Sequence, residues 1–235
     1  MKVLITGTSS GIGNGLAREY LKRNAHVWGI SRRIPNGIIN DPNYLHQQLD
    51  ITNYDKVKQE IPGFLKGQNY FDIVILNSGI LGEIRFTKDV SIEQMKEVME
   101  INVWANKGFL DLLFEQSISI KQVIGMSSGA ALRSTPGWGS YSLSKAALDM
   151  LMNIYAKEYP ETHFIAFAPG LVDSEMQEYI YNIEEAEKYP SAKKLQEARY
   201  TELMPDADTA APMLIEGFKK ALECESGSHI DVREM

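Results

Sequence analysis

The chain has 235 residues, 44% of them hydrophobic, which suits one α/β domain with a sizeable core and argues against disorder. Lys and Arg number 24 against 31 Asp and Glu, and the net charge of −7 disfavours nucleic acid or an anionic membrane as the main partner. Cys224 is the only cysteine and no apolar stretch resembles a signal peptide or a membrane span, so we expect a cytoplasmic protein without internal disulfides.

Short apolar runs alternate with longer helical patterns along the chain. The predicted strands are KVLIT, HVWGIS, YLHQQL, FDIVILN, KQVIGMS, HFIAFA and HIDV. This alternation predicts a single Rossmann-type doubly wound domain over residues 1–235, with a seven-stranded, mostly parallel sheet and helices on both faces. Residues 172–206 interrupt the alternation with a polar, helical insertion, which we expect to be a substrate lid.

A glycine-rich turn follows the first predicted strand. Its glycines are spaced Gly-x-x-x-Gly-x-Gly, which is looser than the usual dinucleotide fingerprint. Such glycines let the backbone approach a pyrophosphate at the start of a helix, although an ordinary strand-to-helix turn would look similar. We expect cofactor contacts from Gly7, Ser9, Ser10, Gly11, Ile12 and Gly13.

The end of the second strand indicates which dinucleotide is bound. An acidic residue there would accept from the ribose of NAD, but this chain has Ser31, Arg32 and Arg33. A guanidinium suits the 2′-phosphate of NADP(H), and two solvated surface arginines are the alternative. Asp50, followed by Ile51, is expected to accept from the adenine amino group or to serve as a plain loop or capping residue.

A tyrosine and a lysine four residues apart form the candidate catalytic pair. Tyr141 and Lys145 share one face of a predicted helix, and Ser128 lies thirteen residues before the tyrosine. An adjacent ammonium is expected to lower the pKa of the phenol, which then donates a proton to a carbonyl oxygen. The same spacing occurs at Tyr54 with Lys58 and at Tyr189 with Lys193, which we interpret as exposed helical pairs.

The ordered set of these motifs resembles the short-chain dehydrogenase/reductase family. The motifs are Thr6 to Gly13, Asp50, Asn77-Ser78-Gly79, Asn102, Ser128, Tyr141 with Lys145, and Pro169-Gly170. The resemblance implies that Tyr141 is the general acid, that Lys145 tunes it and holds the nicotinamide ribose, and that Ser128 polarises the carbonyl. It also implies a proton-relay role for Asn102, whose alternative is a helix-interior residue bonded to backbone, and a core or backbone-bonding role for Ser127. Further cofactor contacts are implied for Asn77, Ser78, Gly79, Pro169, Gly170, Val172 and Ser174.

Within this family, three stretches are similar to the sepiapterin and benzil reductase subgroup. They are Gly137 to Tyr141 continuing from Lys145 to Leu151, Pro169 to Gln177, and Ser226 to Asp231. The similarity implies that Asp231 anchors a pterin-like substrate, and a capped or solvent-facing strand end is the alternative. Substrate contacts are expected from Ser128, Trp138, Tyr141, Gly170, Met176 and Asp231. Met126, Leu132, Trp138 and Met176 would form an apolar pocket or belong to the core.

The expected function is NADPH-dependent reduction of a small dicarbonyl or pterin-like carbonyl. A 3-oxoacyl thioester reductase and a non-catalytic NADP(H)-sensing protein are the alternatives, and the acidic charge disfavours the first because its carrier protein is acidic. The four scattered histidines, His26, His46, His163 and His229, indicate structural or surface roles and no metal site. The resemblance implies a homodimer or homotetramer formed through helices 91–116 and 140–159. On these helices, either the interface or the core would contain the apolar residues Trp104, Phe109, Leu148, Met152 and Tyr155.

Overall fold

The computed structural model describes all 235 residues and contains one seven-stranded sheet. The strands are β1 (Lys2–Thr6), β2 (His26–Ser31), β3 (Tyr44–Gln48), β4 (Tyr70–Leu76), β5 (Ser119–Met126), β6 (His163–Ala168) and β7 (His229–Asp231). Their order in the sheet is β3-β2-β1-β4-β5-β6-β7, and all neighbouring strands are parallel. The predicted doubly wound α/β fold is therefore confirmed, and the sheet is parallel throughout.

Eight α-helices connect and flank these strands. They are α1 (Gly11–Lys22), α2 (Tyr54–Phe64), α3 (Ile92–Met99), α4 (Ala105–Glu115), α5 (Gly139–Glu158), α6 (Glu175–Tyr181), α7 (Pro190–Ala198) and α8 (Ala207–Ala221). The long helix predicted over 91–116 starts at a capping box between Ser91 and Gln94, and a π-helical stretch, Glu100–Trp104, divides it. None of the helices is long and apolar enough to cross a membrane.

The sheet is buried on both faces, which explains why its central strands do not alternate between apolar and polar residues. In β1, Val3 and Ile5 pack in a cluster with α1 and α8, whereas Leu4 points to the opposite face. There it joins a second cluster formed with α2, α4 and α5. All three side chains are fully buried, so each strand residue serves one of two cores.

Four of the five candidate interface residues belong to the core of this chain. Phe109, Leu148, Met152 and Tyr155 pack against the sheet in the cluster with α2, α4 and α5. Of the two alternatives, core or interface, these four residues take the core, because side chains that fill the core cannot contact a second copy. Only Trp104 of the predicted set is exposed.

The order of the strands positions a cleft at their carboxyl ends. The chain winds outward from β1 to β3, then returns to place β4 on the other side of β1. In parallel sheets, ligands bind at such a reversal, outside the carboxyl ends of the strands. The segment predicted as a lid follows β6 at this edge and contains α6, a short 3₁₀ turn (Ala186–Lys188) and α7.

Candidate active site

A cleft of about 770 Å³ lies at the carboxyl edge of the sheet and collects most of the predicted site residues. The predicted residues that line it are Gly7, Ser9, Ser10, Gly11, Ile12, Arg32, Arg33, Asp50, Ile51, Asn77, Ser78, Gly79, Ser128, Trp138, Tyr141, Lys145, Pro169, Gly170, Val172, Ser174 and Met176. Gly13, Asn102 and Asp231 do not line it. Sequence positions more than 160 residues apart thus meet around one cavity.

Close backbone packing fixes the shape of the glycine turn. Gly7 has φ of +77°, and a Cβ on Gly13 would stand 2.2 Å from the Gly7 carbonyl oxygen. The Asn77 side chain donates to the carbonyl oxygens of Thr6 and Gly7, both at 3.1 Å. Gly13 and Asn77 therefore set the shape of the turn, although Gly13 itself does not line the cleft.

The start of α1 offers free backbone donors to the cleft. Ser10 occupies the N-cap position without a side-chain cap hydrogen bond, and the first turn carries no acidic residue. The first N–H groups of a helix have no intrahelical partner and favour a negative charge. Together with the tight glycine turn, this arrangement fits a dinucleotide pyrophosphate.

The two arginines predicted to bind a 2′-phosphate differ in their surroundings. Arg33 donates from Nη2 to both carboxylate oxygens of Glu175 at 2.8 Å and to Ser10 Oγ at 3.3 Å. The side chain of Arg32 is exposed and makes no hydrogen bond or ion pair. Glu175 begins α6, so the Arg33–Glu175 pair joins the segment after β2 to the predicted lid across the mouth of the cleft.

Asp50 is positioned by a local turn at the edge of the cleft. One of its carboxylate oxygens accepts from the Thr52 main-chain N–H at 3.0 Å and from the Thr52 hydroxyl at 2.8 Å. The loop role considered from the sequence is therefore present, whereas Asn53 is the residue that caps α2. The second carboxylate oxygen has no hydrogen bond and the residue lines the cleft, so an adenine contact is compatible with it.

Tyr141 and Lys145 lie one turn apart at the start of α5, and both are buried. The Lys145 Nζ donates to the Met126 carbonyl oxygen at 2.7 Å and stands 5.6 Å from the centre of the Tyr141 ring. The Ser128 hydroxyl accepts from the Ala130 N–H at 3.1 Å. Helix α5 and the end of β5 therefore bring the three predicted catalytic side chains to one wall of the cleft.

The pKa values of Tyr141 and Lys145 differ from the sequence-based expectation, which was a lowered pKa for the tyrosine. Burial raises the pKa of Tyr141 to about 12, against the opposing effect of the Ser128 hydroxyl. Burial also lowers the pKa of Lys145 to about 8, because a desolvated ammonium is costly, while the Asp149 carboxylate opposes this change. The sequence-based expectation of a lowered tyrosine pKa is therefore wrong, and Tyr141 is protonated at neutral pH.

Asn102 lies in the π-helical stretch, fully buried behind the cleft. Its side chain accepts from the Ile80 N–H at 2.7 Å and donates to the Ile80 carbonyl at 2.8 Å and to Ser144 Oγ at 2.9 Å. The backbone-bonded alternative is thus present. A Cβ on Gly79 would lie 3.1 Å from Asn102 Oδ1 and 3.4 Å from Lys145 Nζ, so the three residues converge.

The two other Tyr-x-x-x-Lys pairs do not line the cleft. Tyr54 donates its hydroxyl to Glu100, at the start of the π-helical stretch. Tyr189 belongs to the predicted lid and is buried in the apolar cluster that also contains Tyr141, so the expectation of an exposed pair is wrong for this tyrosine; Pro190 after it begins α7. Because neither tyrosine lines the cleft, Tyr141 is the tyrosine of this spacing that a bound substrate would meet.

The Asp231 carboxylate is paired with Arg233 and does not line the cleft. Arg233 donates to its Oδ1 from the main-chain N–H at 3.0 Å and from Nε at 2.8 Å. The same guanidinium holds the pKa of the Asp231 carboxyl below its usual range. This geometry agrees with the capped strand end considered from the sequence, and the substrate-anchoring expectation finds no support in it.

An apolar wall completes the cleft on the side of Tyr141. Trp138 stacks edge-to-face on Tyr141 with ring centres 6.0 Å apart, and Met126 and Met176 also line the cavity, whereas Leu132 is exposed. Among the lining residues that were not predicted from the sequence, four belong to this wall: Leu81, Tyr179, Ile180 and Leu195. Three of these lie in the predicted lid, and the helical spacing of Met176, Tyr179 and Ile180 was the signal available.

Comparison with known proteins agrees with this arrangement. The family model described as short chain dehydrogenase matches residues 1–185. A benzil reductase ((S)-benzoin forming) of Bacillus subtilis is 25% identical over 98% of this chain and 98% of its own length. A sepiapterin reductase of Mus musculus is 30% identical over 68% of this chain and 62% of its own. Among solved structures, the KRED1-Pglu enzyme superposes with a TM-score of 0.86 at 22% identity, over 98% of this chain and 100% of that one. The chain belongs to the short-chain dehydrogenase/reductase family, and its relatives include the subgroup that the sequence resembles.

Proposed function

We propose that this short-chain dehydrogenase is an NADPH-dependent carbonyl reductase that acts on small, flat dicarbonyl or pterin-like substrates, with Tyr141 as general acid. The observation that carries the proposal is the position of Tyr141, which lines the cleft between the glycine turn and an apolar wall. Residues 1–235 serve as one catalytic domain, with residues 172–206 as the lid. A domain that only senses the cofactor does not need a buried acid and a buried lysine at that place.

Each catalytic residue has one task in this proposal. Bound NADPH supplies the hydride that reduces the carbonyl carbon. Tyr141 holds its proton at neutral pH and donates it to the carbonyl oxygen, which becomes the hydroxyl of the product. Ser128 donates a hydrogen bond to the same oxygen and orients it, while charged Lys145 stabilises the phenolate that Tyr141 leaves behind. Asn102 supports the loop at Ile80 that borders this wall.

The preference for NADPH is assigned to the arginines after β2. Unpaired Arg32 and the Arg33 guanidinium lie at the adenosine end of the cleft, where a 2′-phosphate would accept charge-assisted hydrogen bonds. Gly7, Gly11 and the start of α1 would hold the pyrophosphate. Asn77, Gly79, Pro169, Gly170, Val172 and Ser174 would border the nicotinamide half.

The substrate class follows from the apolar wall. Leu81, Trp138, Ile180 and Leu195 offer flat hydrophobic contacts beside Tyr141. Apart from Lys145, the cations lining the cleft are the two arginines at the opposite end. A phosphorylated or acidic carrier-bound thioester would therefore lack a cationic partner, which favours uncharged aromatic dicarbonyls and pterins over 3-oxoacyl thioesters. The names of the benzil and sepiapterin reductases point to the same class.

The proposal is tested by following NADPH and NADH oxidation against a carbonyl panel. The panel contains benzil, sepiapterin, a short aliphatic diketone, an aromatic aldehyde and an acetoacetyl thioester. We expect turnover of benzil or sepiapterin with NADPH far above that with NADH. Turnover of the thioester alone would replace the proposal with 3-oxoacyl chemistry. Tight NADPH binding without turnover of any member would favour the sensing protein.

A further inference from the structure

The carboxylate of Asp149, four residues after Lys145 on α5, is in contact with the imidazole of His229. Asp149 follows Lys145 by one helical turn on α5, so the side chains of Tyr141, Lys145 and Asp149 follow one another along a single face. The Ser127 hydroxyl donates to one Asp149 oxygen, and His229 Nδ1 lies 2.7 Å from the other. Both the Asp149 and His229 side chains are only 14% exposed. Residues from β5, α5 and β7 therefore converge on this carboxylate.

The sheet register explains why His229 reaches α5. Gly125 pairs with Ala166, and Ala166 pairs with His229, so these positions point to the same face of the sheet. A Cβ on Gly125 would touch Met152 of α5, which identifies that face as the one covered by α5. On β5 and β6 this face carries no titratable side chain next to the pair. The remaining charges nearby are Asp231 with Arg233 on the C-terminal segment, and Arg133, which pairs with Glu234.

Both carboxylate oxygens of Asp149 have a hydrogen-bond partner. When Asp149 is ionised, its carboxylate can only accept, and Nδ1 of His229 is then the donor in the 2.7 Å contact. Ser127 donates to the other carboxylate oxygen, so two partners together fix the orientation of the Asp149 side chain. Asp231 is already paired with Arg233, whereas the charge of the Asp149 carboxylate acts on Lys145 and raises its pKa against the effect of burial.

We propose that Asp149, held by His229 and Ser127, is a positioning residue that keeps Lys145 in its charged form beside Tyr141. The proposal rests on the proposed function of Tyr141 and Lys145 and adds a residue pair behind them. His229, which the sequence indicates as structural or surface, thereby acts on the active site through Asp149.

The pKa of Lys145 indicates what the Asp149 carboxylate contributes to the site. Burial lowers the pKa of Lys145 to about 8, and the Asp149 carboxylate acts in the opposite direction. Without that carboxylate, the lysine would lose its proton closer to neutral pH, and its support of the Tyr141 phenolate would end there. A purely structural hydrogen bond between α5 and β7 would have no such effect on the pH dependence.

Two measurements on Asp149→Asn test the proposal. The first is the pH profile of kcat/KM for the panel substrate that the wild type reduces, whose alkaline limb we expect to move down by about one pH unit on loss of the neighbouring charge. The second is the pH dependence of Lys145 acetylation by acetic anhydride, read by peptide mass spectrometry, which we expect to shift equally. The labelling needs no substrate, so it tests the pair even where the carbonyl panel gives no turnover and the proposed function fails.

Asn153→Ala is the matched control. Asn153 lies one turn further along α5 and donates to the Gly227 carbonyl at 3.3 Å, so it also ties α5 to the C-terminal segment but carries no charge. We expect both of its pH profiles to match the wild type. An Asp149→Asn protein that folds and binds NADPH with unshifted profiles would overturn the proposal, as would an equal shift in Asn153→Ala.

The His229 variants keep the proposal testable where Asp149→Asn does not fold. We expect His229→Phe, which removes the donor, to lower kcat by about tenfold with unchanged NADPH affinity. His229→Asn places an amide donor near the position of Nδ1 and is expected to recover most of that loss. Equal activity of both variants and the wild type, with identical Lys145 labelling, would contradict the role of the pair.

Discussion

The Lys145 ammonium donates to the Met126 carbonyl at 2.7 Å and lies 5.6 Å from the centre of the Tyr141 ring. The bond to Met126 fixes the ammonium at the end of β5, on the same wall as the phenol. Both groups are buried, and burial changes their pKa values in opposite directions, to about 12 for Tyr141 and about 8 for Lys145. A protonated phenol and a readily deprotonated lysine therefore share one site.

Tyr141→Phe is expected to lower kcat by at least about 100-fold, because the general acid is removed while the ring contact with Trp138 remains. The NADPH dissociation constant, measured by fluorescence titration, should change little. Tyr189→Phe is the control, since Tyr189 precedes Lys193 by the same four residues but does not line the cleft. Full activity of Tyr141→Phe would refute the proposed mechanism.

Lys145→Met is expected to abolish activity and to raise the free energy of unfolding at pH 7. The pKa of Lys145 is about 8 in the folded chain against 10.5 for an ordinary lysine, a difference equivalent to at most about 3 kcal/mol at pH 7. Folding releases this proton between pH 8 and 10.5, so wild-type stability rises with pH there and the advantage of the variant shrinks.

Urea unfolding at pH 7 and pH 10 measures this stability difference. Lys58→Met, at the exposed lysine of the Tyr54 pair, is the control and should be nearly neutral at both pH values. A Lys145→Met protein that is equally destabilised at both pH values would show that the lysine is not held at a desolvation cost.

Arg33→Ala is expected to weaken NADPH binding by about tenfold and to leave NADH binding unchanged, since only NADPH carries the 2′-phosphate. Glu175→Gln should tighten NADPH binding several-fold, because the carboxylate that engages Arg33 no longer competes. Arg23→Ala is the control, because Arg23 lies at the C-terminal end of α1, where it pairs with Glu19 and Glu216. Equal losses for NADPH and NADH in Arg33→Ala would contradict the 2′-phosphate assignment.

Two helical glycines, Gly13 in the turn and Gly63 on α2, allow the tight packing of the turn to be tested against a control. Gly13→Ala would place a Cβ 2.2 Å from the Gly7 carbonyl oxygen, so we expect a loss of about 3 kcal/mol in unfolding free energy together with weaker NADPH binding. Gly63→Ala meets no atom within 4 Å on α2 and should gain about 0.5–1 kcal/mol. Thermal unfolding and NADPH titration of both variants provide the measurement, and a tolerated Gly13→Ala would contradict the tight turn.

Features that depend on local spacing were predictable from the sequence. The apolar run Val3-Leu4-Ile5 indicates a strand buried on both faces, and the structure confirms it because consecutive side chains enter two separate cores. Tyr141 and Lys145 share a helix face through the four-residue repeat alone. The fold and the family followed from these local patterns and from their order along the chain.

Features that depend on distant pairing were decided only by the tertiary structure. Glu175 meets Arg33 across 142 residues, and His229 meets Asp149 across 80, and no spacing in the sequence predicts either pair. Asp231 is taken by Arg233, and the pKa of Tyr141 is raised rather than lowered. Local sequence sets which groups are available, whereas burial and charge partners, which determine their protonation and orientation, arise only when remote segments pack together.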